Sequence, residues 1–317
     1  MNVIQNMINL VISFKSLKAM KIFLLISVFL FTTQSFISLP REPEVQEQLL
    51  HCTVNIITKV KTSSGALSDS GGAGFFYQFE TEKGDIPVII TNRHVIKNVV
   101  DGKMIFTSRA KDGSPNYGDH LEISLTDNAF MWIEHPDPNV DLCMAMFQPV
   151  VNAIQKRTGK LIYYKVLEEK LSPSKEDWET IYPNTDVVMT GYPNGFSDRI
   201  NNLPTSRRGV VSSLPRLGFE GRNEFLIDVP VSGGSSGSPV LIYQNNGNAT
   251  RILFGGIVYA GPTEKIVTSG KVIRDGSITS EMVVTSADVP LDFAYVIKSD
   301  EILGFKTFID DLISQER

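Results

Sequence analysis

The stretch VPVSGGSSGSPVLIY, residues 229–243, sets four serines and three glycines between two apolar runs. A serine hydroxyl at its ordinary pKa is a weak nucleophile. Acyl transfer from it requires a base, a group that orients the base, and donors for the developing oxyanion. The glycine frame can supply the donors. Gly234 lets the chain turn so that its own amide and that of Ser236 converge on one point. Gly237 clears space just beyond, and Pro239 stiffens the exit into the next strand. Ser236 alone has a glycine two residues before it and another immediately after it, which singles out its hydroxyl among the four. A flexible Gly/Ser turn has the same composition, so the rest of the chain must discriminate.

Of the four histidines, His51 opens a strand, His120 sits in the polar loop NYGDHLEI, and His135 lies in EHPDPNVD. His94 differs, because it follows the apolar run PVIIT where a rigid strand gives way to a turn, a suitable mounting for a base. The competing reading of His94 is structural. Asp141 begins DLCMAMF, a carboxylate at the entry of an apolar strand, where burial is costly without a partner and an imidazole N–H is a natural one. The alternatives here are that Asp141 caps the preceding turn, or that Asp137 is the relevant acid.

Other chemistries find less support. The formal charge of −5 provides no basic stripe for nucleic acid. Cys52 and Cys143 allow at most one bridge, sit in apolar strand-like contexts and read as buried thiols. Neither has a His or Cys at metal-ligand spacing, so no metal or cofactor is expected. A phosphate-binding nest in the Gly/Ser run would lack the lysine and the strand-to-helix context of a P-loop.

The elements that must position these residues are short strands. From Leu49 onward the runs CTVNIITKV, GAGFFYQF, IPVIIT, KMIFTS, LEISL and DLCMAMF are separated by turn residues, and they predict an antiparallel β unit over 50–150. The Lys/Glu-rich stretch 151–184 reads as a crossover linker, with Ser174 as a helix N-cap in SPSKEDWETI. Six further runs, from DVVMTGY to DFAYVI, predict a second barrel over 185–298. Within it, residues 261–290 form a long insertion, of a length that is usually functional. The tail over 299–317 switches to helical spacing, with Ile302, Phe305, Ile309 and Leu312 on one face.

At the N-terminus, Lys15, Lys18 and Lys21 precede the apolar run IFLLISVFLF and the small polar TTQSFIS. This order predicts a signal peptide and leader over 1–38, cleaved near Ser35 or Ser38, with Met20 as an alternative start. The run is short for a bilayer span and no other stretch approaches one, so the mature chain is expected to be secreted or periplasmic, without a stable membrane span. Residues 39–49 read as a charged linker.

Together, GGAGFFYQF, VIITNRHVI, VDLCMAMF, GYPNG and SGGSSGSPV resemble the chymotrypsin-like (trypsin-like) serine peptidases, and in particular the bacterial HtrA-like branch. His94, Asp141 and Ser236 follow the family's chain order, 47 and 95 residues apart. The resemblance implies an all-β fold of two antiparallel six-stranded barrels with a C-terminal helix. It further implies His94 as general base, Asp141 as its orienting partner, Ser236 as nucleophile, and the amides of Gly234 and Ser236 as the oxyanion hole. The primary pocket would be lined by Pro230 and Val231 on one side and by Tyr259, Ala260 and Gly261 on the other. No carboxylate stands at the floor position Pro230, so small or medium apolar side chains of protein or peptide substrates are expected, with Asp292 the one residue near enough to change this. Two departures matter. Ser235 replaces the aspartate that receives a freed N-terminal amine in digestive members, and the sequence after the terminal helix leaves no segment for the PDZ module of HtrA proteins. The competing function is a catalytically silent two-barrel binding protein that uses the 261–290 loop as its surface.

Overall fold

The structure is a computed structural model and describes residues 45–62, 64–245, 247, 250–274 and 277–315, so the expected signal peptide and leader lie outside it. Helix α1 (Val45–Leu50) leads into β1 (Thr53–Lys61), β2 (Leu67–Phe79) and β3 (Ile86–Thr91). A single turn, α2 (Arg93–Ile96), precedes β4 (Val99–Arg109), β5 (Pro115–Ser124), β6 (Trp132–Glu134) and β7 (Cys143–Met146). The two-residue period of a strand explains how β2 serves two cores. Phe75, Tyr77 and Phe79 enter one apolar cluster, and Phe76 enters another on the opposite face. β3 lies between β2 and β7, and its continuous Val88, Ile89 and Ile90 run is fully buried because Val88 and Ile90 enter the first cluster and Ile89 the second.

This half does not close into the expected six-stranded barrel. Its strands run β5-β4-β1-β2-β3-β7-β6, and β5 and β6 do not pair. Helix α3 (Phe147–Thr158) packs on β3 and β5, and its buried Phe147, Val150 and Ile154 share a core with Ile89 of β3 and with Leu121 and Ile123 of β5. The stretch read as a crossover also completes this sheet. β8 (Ile162–Tyr163) pairs with β4, and β9 (Leu167–Glu168) lies parallel to β2. Further on, Ser174 caps α4 (Lys175–Trp178) in a reciprocal box with Asp177.

The second half is a closed barrel of β10 (Asp186–Gly191), β11 (Thr205–Val211), β12 (Glu224–Asp228), β13 (Pro239–Asn245), β14 (Thr250–Ala260) and β17 (Phe293–Lys298). Alternation again divides the side chains: Val240 and Ile242 of β13 fill the barrel, while Leu241 faces the cluster shared with the first half. The long insertion is a hairpin of β15 (Thr263–Arg274) and β16 (Ser277–Pro290), which pair only with each other. After β17 come a 3₁₀ segment (Ser299–Phe305) and α5 (Lys306–Gln315). Ile302, Phe305 and Ile309 of these last elements join Phe75 and Tyr77 of β2 and Phe254 and Ile257 of β14 in one core. Cys52 and Cys143 are both buried and unpaired, and burial pushes the Cys52 thiol up to about 12. Among the described residues no helix is long and apolar enough to cross a membrane.

Candidate active site

Buried β3 delivers Thr91 and Asn92, both fully buried, to the start of α2, and so fixes where His94 stands. Three residues of this corner converge on Asp141 through four donors. The Asn92 side-chain amide (2.9 Å) and the Arg93 backbone N–H (3.3 Å) both donate to the Asp141 carbonyl. The His94 backbone N–H donates to Asp141 Oδ1 (3.0 Å), and His94 Nδ1 lies 2.5 Å from Oδ2. Both carboxylate oxygens are therefore engaged by one residue. A carboxylate only accepts, so Nδ1 carries the shared proton and Nε2 is left as the acceptor of the ring. The side chain of His94 is 47% exposed and that of Asp141 23%, so the imidazole is the more accessible of the two. Asp137, the competing acid, is committed to its own turn, with Oδ1 accepting from the backbone and side-chain amides of Asn139 (2.8 and 3.0 Å). The other histidines bond elsewhere: His51 to Tyr117, His120 to the Ile200 carbonyl and His135 to the Glu301 carbonyl.

The Ser236 turn is pinned from both halves. Its carbonyl accepts from Ala73 N–H of β2 (2.8 Å), and the Ala73 carbonyl accepts from the Thr91 hydroxyl (2.7 Å) at the end of β3. From the barrel side, Gly237 N–H donates to the Val258 carbonyl (2.8 Å). Gly234 and Gly237 both have φ of +83°, and a Cβ would lie 2.7 Å from the Tyr192 carbonyl at the first and 1.8 Å from the Ala73 carbonyl at the second. Only glycine meets both demands. The Gly233 carbonyl accepts from Asn194 N–H (2.5 Å). Because a trans peptide points its N–H opposite to its C=O, this contact turns the Gly234 N–H the other way. Among the described residues the amides of Gly234 and Ser236 donate to no backbone acceptor.

The Ser236 hydroxyl donates to the Tyr259 carbonyl (3.1 Å), not to the His94 ring. Beside it lies a cavity of about 240 Å³ whose walls include Val231, Val258, Ala260 and Gly261. Pro230 does not line it and instead accepts from Arg207 through its carbonyl (2.5 Å). The Tyr259 side chain also turns away, its hydroxyl donating to Glu224 (2.8 Å), a carboxylate that burial raises above the usual range. Asp292 is exposed at a left-handed φ of 62° and is absent from the lining. Sequence reasoning missed Ser232, Gly233, Ser235, Val258, Thr263 and Pro290 as lining residues. Thr263 and Pro290 form the first pair of the β15–β16 hairpin. No local signal announces a wall whose two halves lie so far apart in the chain.

Residues 72–247 match the family described as the trypsin-like peptidase domain. The chain belongs to that family. The matched span runs over His94, Asp141 and Ser236 and stops before the β15–β16 hairpin. Solved structures similar to this peptidase-family chain include the HtrA-type protease AlgW with tripeptide, at 16% identity and a TM-score of 0.42, covering 83% of this chain and 61% of that one. A form of AlgW with decapeptide is similar at 13% identity and a TM-score of 0.41, covering 84% and 65%. This chain thus spans less than two thirds of those proteins. No curated protein matches it.

Proposed function

We propose that the chain is an exported serine endopeptidase of the HtrA-like kind, which hydrolyses peptide bonds through an acyl-enzyme. The observation that carries this reading is the grip of Asp141 on His94, with both carboxylate oxygens engaged and Nε2 left to accept a proton. In the proposed reaction the Ser236 hydroxyl first leaves the Tyr259 carbonyl by rotation about its Cα–Cβ bond. Its oxygen then attacks the scissile carbonyl while its proton passes to His94 Nε2. The oxyanion meets the amides of Gly234 and Ser236, each worth roughly 3 kcal/mol of transition-state stabilisation in such sites. His94 returns the proton to the leaving amine as the C–N bond breaks, and water repeats the sequence on the ester. The apolar walls at Val231, Val258 and Ala260 suit a small or medium apolar substrate side chain. Export follows from the signal read over residues 1–38.

Treatment of the purified protein with a fluorophosphonate probe tests the proposal. Wild type is expected to label covalently and Ser236→Ala not at all. Equal labelling of both rejects Ser236 as nucleophile. One observation favours the second reading, a catalytically silent binding protein: the Ser236 hydroxyl is bonded to a carbonyl rather than to its base. Folded wild type that never labels would support it.

A further inference from the structure

The turn that carries Asp141 is held from two sides. One side is the His94 corner, where Arg93 Nη2 donates to the Pro138 carbonyl (2.9 Å) in addition to the contacts already described. The other side is His135, buried at 7% exposure. Its backbone N–H donates to the Leu142 carbonyl (3.0 Å), closing the base of the turn. Its Nδ1 accepts from the Asp137 N–H (3.1 Å), which leaves Nε2 to donate to the Glu301 carbonyl (2.9 Å). Phe305 packs edge-on against the ring at 5.2 Å, and the Glu301 carboxylate lies 4.0 Å from Nε2. Gly304 makes room for the ring, since a Cβ there would lie 2.3 Å from Nε2.

Glu301, Gly304 and Phe305 all belong to the 3₁₀ segment that leaves β17, and that segment is fastened to α4 and to the residue before β12. Trp178 Nε1 donates to Asp300 Oδ1 (3.0 Å), and the Asn223 side-chain amide donates to Glu301 Oε1 (2.8 Å). Lys298 sits over the Trp178 ring at 4.8 Å. His135 therefore ties the acid's turn, in the first half, to a strap anchored on the second.

We propose that His135 is a positioning residue: through its two ring bonds the C-terminal 3₁₀ segment holds the Asp141 turn where the carboxylate grips His94. The inference rests on the reading of His94 and Asp141 as base and orienter. A leucine would fill the same volume but leave the Asp137 N–H and the Glu301 carbonyl without their partner in a buried setting. The turn would then be free to shift, and small displacements of an orienting group are costly to rate.

Three full-chain variants test this, His135→Leu, His135→Gln and Gly304→Ala, with two readouts. One is the strongly downfield proton resonance given by a short N–H bond between His94 Nδ1 and Asp141; the other is the rate at which a fluorophosphonate labels Ser236. His135→Leu and Gly304→Ala are expected to lose the resonance and to label about tenfold more slowly. His135→Gln, whose amide can still donate to the Glu301 carbonyl, is expected to keep the resonance and to label within about threefold of wild type. The proposal is overturned if the resonance and rate survive in the leucine and alanine variants, or if glutamine loses as much as leucine. Should the leucine variant fail to fold, Gly304→Ala read by the same resonance decides. Wild type that never labels defeats the enzymatic reading instead, while the resonance of the resting protein still tests the part played by His135.

Discussion

At the residue scale, the candidate site depends on backbone shape as much as on side chains. Gly234 holds φ of +83° with the Tyr192 carbonyl where a Cβ would go, and the peptide before it is oriented by Asn194. An added methyl group therefore presses on the Tyr192 carbonyl and comes within 3.3 Å of the Asn194 nitrogen whose bond to Gly233 aims the proposed oxyanion donor. Gly234→Ala is expected to fold with a loss of about 1–2 kcal/mol from the left-handed conformation. Its peptidase kcat should fall by about a hundredfold or more, with KM little changed, because an oxyanion donor acts chiefly in the transition state. Steady-state kinetics together with urea unfolding check both halves of this expectation, and a wild-type kcat would remove Gly234 from the oxyanion hole. The glycine spacing around Ser236 was legible in the sequence, because left-handed positions demand glycine. The bond from the Ser236 hydroxyl to the Tyr259 carbonyl was not, since a side-chain rotamer leaves no trace in residue types.

At the scale of elements, α3 extends the core of a sheet that does not close. The sheet of the first half is open between β5 and β6, and Phe147, Val150 and Ile154 join its core from one helical face. Ile154 is almost wholly buried among the strands it covers. Ile154→Ala is expected to destabilise the protein by about 3 kcal/mol, the cost of lost burial plus the cavity left behind. Urea denaturation with an unchanged m-value would show this, whereas a loss below about 1 kcal/mol would mean that the helix contributes little to the core of this half. The strands themselves were readable from alternation and turn residues, and so was the cap at Ser174, whose hydroxyl and Asp177 complete each other. The helix carried a signal too, at spacings of three and four followed by Gly159 in the left-handed cap conformation. It was obscured by Pro149 and by a polar face that looks like linker composition. The closure of one half and the opening of the other depend on pairings between distant strands, which local pattern does not encode.

For the whole molecule, strands of both halves, β2 of the first sheet and β14 of the barrel among them, meet the C-terminal 3₁₀ segment and helix in one apolar core. The β15–β16 hairpin stands outside that arrangement. Its strands pair only with each other, and Val267, Met282 and Val284 are more than half exposed, an environment in which a two-stranded ribbon contributes little to global stability. Yet its first pair, Thr263 and Pro290, lines the cavity beside Ser236. The base of the hairpin and its arm should therefore separate experimentally. Removing residues 266–287 and joining Lys265 to Asp288 through an Asn-Gly turn keeps the lining pair while deleting the arm. If the protein is an enzyme whose chemistry resides at Ser236, this shortened form should unfold within about 1 kcal/mol of the intact chain and label with a fluorophosphonate at a comparable rate. Loss of labelling in a folded, shortened protein would instead assign the arm a part in organising the Ser236 turn. A shortened protein that still labels but no longer cleaves long peptides, while short ones remain substrates, would make the arm an extended contact for the polypeptide being cut.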